Sequence, residues 1–293
     1  MSYGKKLHPL GFWQVDPMPT EKELEKYYRE AYFQVCERGA YSPDYTADEL
    51  ESFANTARVT EHIRNSLYGN ARGGFLDVGC GEGYFAAYMH ELGWDLDLVD
   101  FSSWAIENHH PSLLGYFRQG NIYDLLRDSV SSGNTYGLIN VANVLEHVRD
   151  PLGLLDLIRG LMDRGSLLRV RVPNDYSGFQ AFLLKKGFLD GETWFAPPDH
   201  LNYFTCSSLE KTLADCGFET VRVLVDFPVE TYLVNQFSNY WADRSRGKQA
   251  HYSRIMIENF LVNQDMDSYI DYMAAAARCG FGRDTTAFVR LAG

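Results

Sequence analysis

The sequence lacks any C-x-x-C pair, and its five cysteines (Cys36, Cys80, Cys206, Cys216 and Cys279) are scattered and odd in number. That argues against a cysteine zinc site or a disulfide framework and fits a reducing compartment. No apolar run reaches the roughly 18 residues that a membrane span needs. The start, MSYGKKLHPLGFW, has no apolar stretch of the secretory type, so a cytoplasmic location with no membrane partner is expected. Basic residues are scarce: 27 Lys and Arg stand against 39 Asp and Glu, a formal charge of -12. Such a surface repels a phosphate backbone, and general nucleic-acid binding is not expected. Internal repeats and low-complexity tracts are missing too. Oligomeric state is left open by all of this.

What is there is apolar material for a sizeable core, 45% of the chain. Residues 1–72 read as a helical N-terminal extension or cap. In PMPTEKELEKYYREAYF, Thr20 caps a helix and Glu23 follows three positions later. Tyr27, Tyr28, Tyr32 and Phe33 read as its packing face. A second helix is expected over Ala47 to Tyr68. At Gly73 the period changes. GGFLDVG, WDLDLVD, YGLINVANV, GSLLRVRVP and ETVRVLVDF read as short buried strands, with helical stretches between them. Strands alternating with helices over 73–230 imply a Rossmann-like, doubly wound, mostly parallel α/β sheet covered on both faces. From 231 to 280 the alternation stops. YLVNQFSNYW, KQAHYSRIMIENFLV and MDSYIDYMAAAARCG read as a helical insertion, and TTAFVRL in 281–293 as the last strand of a core sheet expected to be seven-stranded. The insertion is expected over one sheet edge, as a lid.

The strand FLDVG runs straight into CGEGYF, which sets Asp77, Gly79, Gly81 and Gly83 ahead of a helix. Glycines let a backbone turn sharply and approach a ligand, and the helix start offers unpaired N–H groups. A cofactor at this strand end is therefore expected. The dinucleotide pattern G-x-G-x-x-G fails at Tyr84, and no G-x-x-x-x-G-K-[ST] exists. Glu82 and Asp77 suit a sulfonium cation better than a diphosphate.

LDVGCGEGYF resembles the first motif of the class I S-adenosylmethionine (SAM)-dependent methyltransferases. DLVDFS, GNIYDL, LINVANVLEHVRDP, GSLLRVRVPN and PPDHLNYFTCSSLEKTLADCGFE resemble their later motifs in order, over about residues 73–225. The resemblance implies SAM as methyl donor and S-adenosylhomocysteine as product. It places Asp100, with Phe101 beside it, at the ribose, Asn121 and Ile122 at the adenine, and Asn143 near the methionine part. GFWQVDPMPTEKELEKYYREAYF, NQFSNYWADRSRGKQAHYSRIMIENF and GFGRDTT are similar to segments of methyltransferases of bacterial surface-polysaccharide and sugar biosynthesis. That implies a small, sugar-linked or anionic acceptor.

Methyl transfer to a hydroxyl also needs a base or a metal for the proton. His147 and His200 are the candidates, because loops after adjacent parallel strands share one sheet edge. Glu146 reads as a first-turn residue favoured by a helix dipole. Some class I relatives carry E-x-x-E-H and a later His and bind a divalent ion. Here the first carboxylate is Asn143, a poorer ligand, so no metal is assigned. Tyr203, in PPDHLNYF, walls the expected pocket. Arg246 and His251, in a cluster with Arg244, Lys248 and Arg254, and Arg283, after two glycines, are expected to meet an anionic acceptor. His109 and His110 read only as a helix end. O-methylation is favoured over N-methylation, and a SAM-binding regulatory protein or a nicotinamide oxidoreductase are the alternatives.

Overall fold

The computed structural model describes residues 3–24, 26–27 and 45–293. Strand β3 (Gly74–Val78) is buried over its last four residues, as an apolar strand with helices on both faces must be. To one side of it lie β4 (Asp95–Asp100) and β5 (Phe117–Gln119). To the other lie β6 (Leu138–Ala142), β7 (Leu167–Pro173), β10 (Asp284–Leu291) and β9 (Phe218–Val225). The sheet has seven strands in the order β5-β4-β3-β6-β7-β10-β9. The first five pair in parallel, and β10 runs antiparallel between β7 and β9. Strand order reverses between β3 and β6, which makes the crevice above their carboxyl ends the expected ligand position.

One face of the sheet is covered by α4 (Ile122–Ser131), α5 (Pro151–Arg159) and α7 (Cys206–Asp215), through Leu126, Leu154, Ile158 and Leu209. The other is covered by α1 (Ala47–Tyr68), α2 (Tyr84–Glu91), α8 (Gly247–Gln264) and α9 (Met266–Arg278). Their buried contacts include Ala57, Met89, Val262 and Met273. The doubly wound α/β reading therefore holds. Helix α1 has the bounds expected of it, and Thr46 and Glu49 form its capping box. The insertion packs α8 on α1 and α9 on the edge strand β9.

Two expectations are corrected. The N-terminal extension opens not with helix but with a hairpin, β1 (Gly4–Leu7) and β2 (Trp13–Asp16). It joins β8 (Asn202–Tyr203) in a second, three-stranded sheet. Trp13 pairs with Tyr203 and Gln14 with Asn202. Helix begins after Thr20, whose hydroxyl and backbone N–H both meet the Glu23 carboxylate at 2.7 Å. Tyr28, Tyr32, Phe33 and Cys36 lie outside the described residues. The second correction is YLVNQFSNYW, where only a 3-10 turn, Val229–Val234, forms. Asn235 accepts from Phe237 N at 2.9 Å, and Asn239 accepts from Trp241 N and Ala242 N at 2.9 Å. Such side-chain turns compete with helix for the same backbone donors. Among the described residues no helix is long and apolar enough to cross a membrane.

Candidate active site

The turn after β3 depends on glycine. Gly79, Gly81 and Gly83 have φ of 74°, 53° and 83°, a region that side chains with a Cβ avoid. A Cβ on Gly79 would also meet Val144 Cγ2 at 2.6 Å. Gly83 precedes α2 with no side-chain cap, so the first N–H groups of that helix stay available to a ligand. The loop is braced from outside the core. His110 donates from Nδ1 to the Glu82 carbonyl at 2.7 Å, and the Glu82 carboxylate meets Tyr45 Oη at 2.8 Å and His109 Nε2 at 3.1 Å. The two histidines thus do more than end a helix.

Asp77 lies beneath the loop, fully buried. It accepts from Asn140 Nδ2 at 2.7 Å, and Asn140 Oδ1 accepts from Arg169 Nη1 at 2.7 Å. Burial pushes Asp77 up to about 7, against the pull of Asn140 and Arg169. Burial likewise pushes Arg169 down to about 9.

Asp100 ends β4 and folds back onto the loop. Its Oδ2 accepts from Gly81 N at 3.0 Å and its Oδ1 from Ser102 N at 3.2 Å. Burial raises this carboxyl, and those backbone donors oppose the rise. Phe101 beside it is exposed, at 63%, with its ring free for a planar partner. Asn121 caps α4 by accepting from Tyr123 N at 3.0 Å, so its Oδ1 is already used. Ile122 packs on the core cluster of that face. All of these stand at the carboxyl ends of β3, β4 and β5.

His147 and His200 meet. Their ring centroids are 4.9 Å apart, edge to face. His147 Nδ1 donates to the Asp199 carbonyl at 2.8 Å, which in the neutral tautomer puts the lone pair on Nε2. His147 Nε2 is 3.8 Å from Glu146 Oε1. Glu146 is not in a helix: α5 begins at Pro151 behind the cap Asp150, which corrects the first-turn reading. The Asp-Pro start fixes that boundary, since proline suits the first helical position. Glu146 is instead almost wholly buried, with Oε2 lacking a hydrogen bond among the described residues, and burial pushes its carboxyl up to about 8. His200 Nδ1 is also buried without a hydrogen-bond partner among the described residues. Burial first, then His147, pushes His200 down to about 4, so the ring is neutral at pH 7. Glu146, His147 and His200 each offer a ligand atom within 4.8 Å of the others.

Asn143 links this cluster to the loop. It follows β6 directly, at a positive φ of 55°, and accepts from Arg171 Nη1 at 3.1 Å. Arg171 also ion-pairs with Asp284. Of the expected acceptor contacts, Tyr203 and Arg283 lie by His200. Tyr203 is buried, its ring 6.2 Å from that of His200, and its hydroxyl donates to the His200 carbonyl at 2.8 Å. Arg283 is held by Asp175 at 2.9 Å and flanked by Glu230 at 3.8 Å. Arg246 is bound by Asp243 at 2.9 Å and the Gln236 carbonyl at 2.6 Å. His251 stands 3.8 Å from Glu49. Arg246 and His251 thus have neighbours of their own on the outer helices. Tyr27 is near enough to Asp199 that, after burial, this carboxylate raises its phenol.

Sequence reasoning passed over Arg171, Asp199, Asn202, Asp226 and Glu258. All five lie within segments quoted for their pattern, but nothing in the pattern marks these side chains, and only the fold gathers them.

A model of the methyltransferase-domain family matches residues 51–223, more than half of the chain. The chain is 23% identical over 209 residues to a ubiquinone biosynthesis O-methyltransferase of Haemophilus ducreyi, covering 65% of this chain and 84% of that one. Its fold resembles that of a SAM-dependent methyltransferase from Archaeoglobus fulgidus, with a TM-score of 0.51, 16% identity, and 88% and 98% of the two chains covered. It also resembles 1,6-didemethyltoxoflavin-N1-methyltransferase of Burkholderia thailandensis. There the TM-score is 0.53, the identity 14%, and the coverage 96% and 95%.

Proposed function

This chain belongs to the methyltransferase-domain family and is a SAM-dependent methyltransferase, and from that premise we propose that it methylates an oxygen of a small acceptor, with the His147–His200 pair taking the hydroxyl proton. One observation carries this reading: the Asp199 carbonyl accepts from His147 Nδ1, so that the neutral ring presents the lone pair of Nε2, beside His200 and the buried Glu146. SAM, when bound, supplies an already activated methyl group. The Gly79–Gly83 loop and Asp100 fit that group: the loop closes too tightly for a Cβ at Gly79, and Asp100 offers an acidic edge to ribose hydroxyls. The chain's own work is then to align the acceptor, exclude water and accept a proton. Nε2 of His147 takes the proton as the acceptor oxygen gains the methyl group, and neutral His200 beside it adds no opposing charge. Oxygen as the target is also supported by the ubiquinone O-methyltransferase relative.

A sugar-linked or anionic acceptor rests on the resemblance of the terminal segments alone. The charges near the histidines favour a neutral hydroxyl, because Arg283 is already matched by Asp175 and Glu230. The test uses radiolabelled SAM with a panel of phenols, catechols and sugars. His147→Ala and His200→Ala should each lower kcat by about 100-fold or more and leave the Kd for SAM unchanged. Wild-type turnover in both variants would remove these side chains from the chemistry.

A second reading is favoured by the spacing of Glu146, His147 and His200. The unpartnered His200 Nδ1 and Glu146 Oε2 fit a divalent cation, which those residues would hold and which would acidify a bound hydroxyl. Loss of activity in EDTA, restored by a divalent ion, supports it. Full activity in EDTA excludes it.

A further inference from the structure

The glycine loop is one wall of a cavity of about 370 Å³. Gly79, Cys80 and Gly83 line one side, and Asp226, Arg254 and Glu258 line the other. Asp100 and Asn121 are not among its lining residues, so it extends away from the side where a ribose and adenine would lie.

Arg254 stands on α8, and its side chain is only 20% exposed. Among the described residues it makes no hydrogen bond. Its Nη1 comes no nearer than 3.6 Å to Glu258 Oε2 and 3.9 Å to Asp226 Oδ2. Glu258 uses its other oxygen, Oε1, to accept from Tyr269 Oη at 2.9 Å and Phe227 N at 3.3 Å. Asp226 likewise uses Oδ1, accepting from Arg283 N at 3.0 Å and Asp284 N at 2.8 Å. The cavity therefore presents a largely desolvated guanidinium with unspent donors between two carboxylate oxygens with unspent lone pairs. A guanidinium in such a place is matched best by a carboxylate, which takes two parallel N–H bonds. The two free carboxylate oxygens are matched by an ammonium. A group that carries both on one carbon is an α-amino acid in its zwitterionic form.

We propose that Arg254, with Asp226 and Glu258, holds the α-amino carboxylate end of SAM, so that a helix outside the alternating core completes the donor site. This rests on the SAM reading above. The glycine loop would then hold the middle of the donor, with the sulfonium turned toward Asn143 and the histidines. Arg254 is in this case a binding residue for the donor and not for an anionic acceptor.

The test is isothermal titration calorimetry with two thioethers, S-adenosylhomocysteine and 5′-methylthioadenosine, which differ by the amino-acid end. Wild type should bind S-adenosylhomocysteine at least about tenfold more tightly, the worth of one bidentate charged contact. Arg254→Met should lose about that factor for S-adenosylhomocysteine and keep its affinity for methylthioadenosine. An unchanged ratio of the two affinities in Arg254→Met overturns the proposal and leaves the SAM reading standing. So does equal loss of both with an unaltered thermal melt. Should Arg254→Met fail to fold, Arg254→Lys decides. A selective loss for S-adenosylhomocysteine supports the assignment, and an unchanged ratio overturns it. A wild type that binds neither thioether overturns the SAM reading itself, and this proposal with it.

Discussion

His147 stands edge-on to His200 at 4.9 Å between ring centroids, although one follows β6 and the other precedes β8. The contact is built by backbone. Leu201 N and Asn202 N both donate to the Glu146 carbonyl, at 2.6 and 3.1 Å, and His147 Nδ1 donates to the Asp199 carbonyl at 2.8 Å. Two loops are thus tied along their length before either imidazole reaches the other. The pair is part of a fixed frame, which is what a base needs to meet a proton at a defined position.

The buried acid under the glycine loop makes stability depend on pH. Asp77 is pushed up to about 7 from an ordinary 3.8. Between those values the folded chain keeps a proton there that the unfolded chain has released. Its contribution to stability is therefore complete below about 4 and is lost as pH rises to about 7. Asn at this position cannot titrate. The melting temperature of wild type should fall relative to that of Asp77→Asn between pH 5 and pH 7.5. A difference of about 2–4 °C would correspond to 1 kcal/mol in a chain of this size. Parallel melting curves across that range would mean that Asp77 is ionised throughout.

The two outer demands on the loop can be separated by alanine. At Gly79 a Cβ faces both a φ of 74° and Val144 Cγ2 at 2.6 Å, whereas at Gly81 it faces a φ of 53° and open space. Gly81→Ala should cost about 1 kcal/mol for the left-handed backbone alone. Gly79→Ala should cost more, about 2–3 kcal/mol, and weaken S-adenosylhomocysteine binding at least about tenfold by displacing the turn. Urea denaturation and calorimetry on both variants check the order. Equal effects would mean that Val144 yields without cost.

Much of the frame was legible before the structure. Helix α1 and the strands β3, β4, β6, β7, β9 and β10 announce themselves by capping residues, apolar runs and glycines, all local signals. The hairpin β1–β2 and the two-residue β8 do not, because such short strands are specified by their partners and not by their own period. The donor loop was readable as one contiguous motif. Glu146 was visible yet misplaced, although Asp150-Pro151 marks the helix start after it. Arg254 was grouped with Arg246 and His251 by sequence proximity. A turn or two along α8 separates them, and Arg254 is turned to the cavity while His251 faces Glu49.

Asn202 is the test of whether that frame matters to turnover. It is fully buried, and Nδ2 donates to the Leu145 carbonyl at 2.8 Å and the Val148 carbonyl at 2.7 Å, on either side of Glu146 and His147. Its Oδ1 accepts from Gln14 Nε2 at 3.0 Å, which joins the N-terminal hairpin to the same point. Asn202→Ala strands two buried carbonyls and should cost about 2–3 kcal/mol. Asn202→Asp should be worse at pH 7 despite its closer shape, since a carboxylate would face two carbonyl oxygens with no donor to offer. Both should lower kcat by about tenfold or more as the histidines lose register, while the Kd for S-adenosylhomocysteine stays near wild type, because the donor loop is braced separately by His110 and Tyr45. Gln14→Ala removes only the outer bond and should show a weaker form of the same split. A variant that is destabilised with unchanged kcat would make Asn202 a packing residue and leave the histidines to be aligned by the backbone bonds at the Glu146 and Asp199 carbonyls.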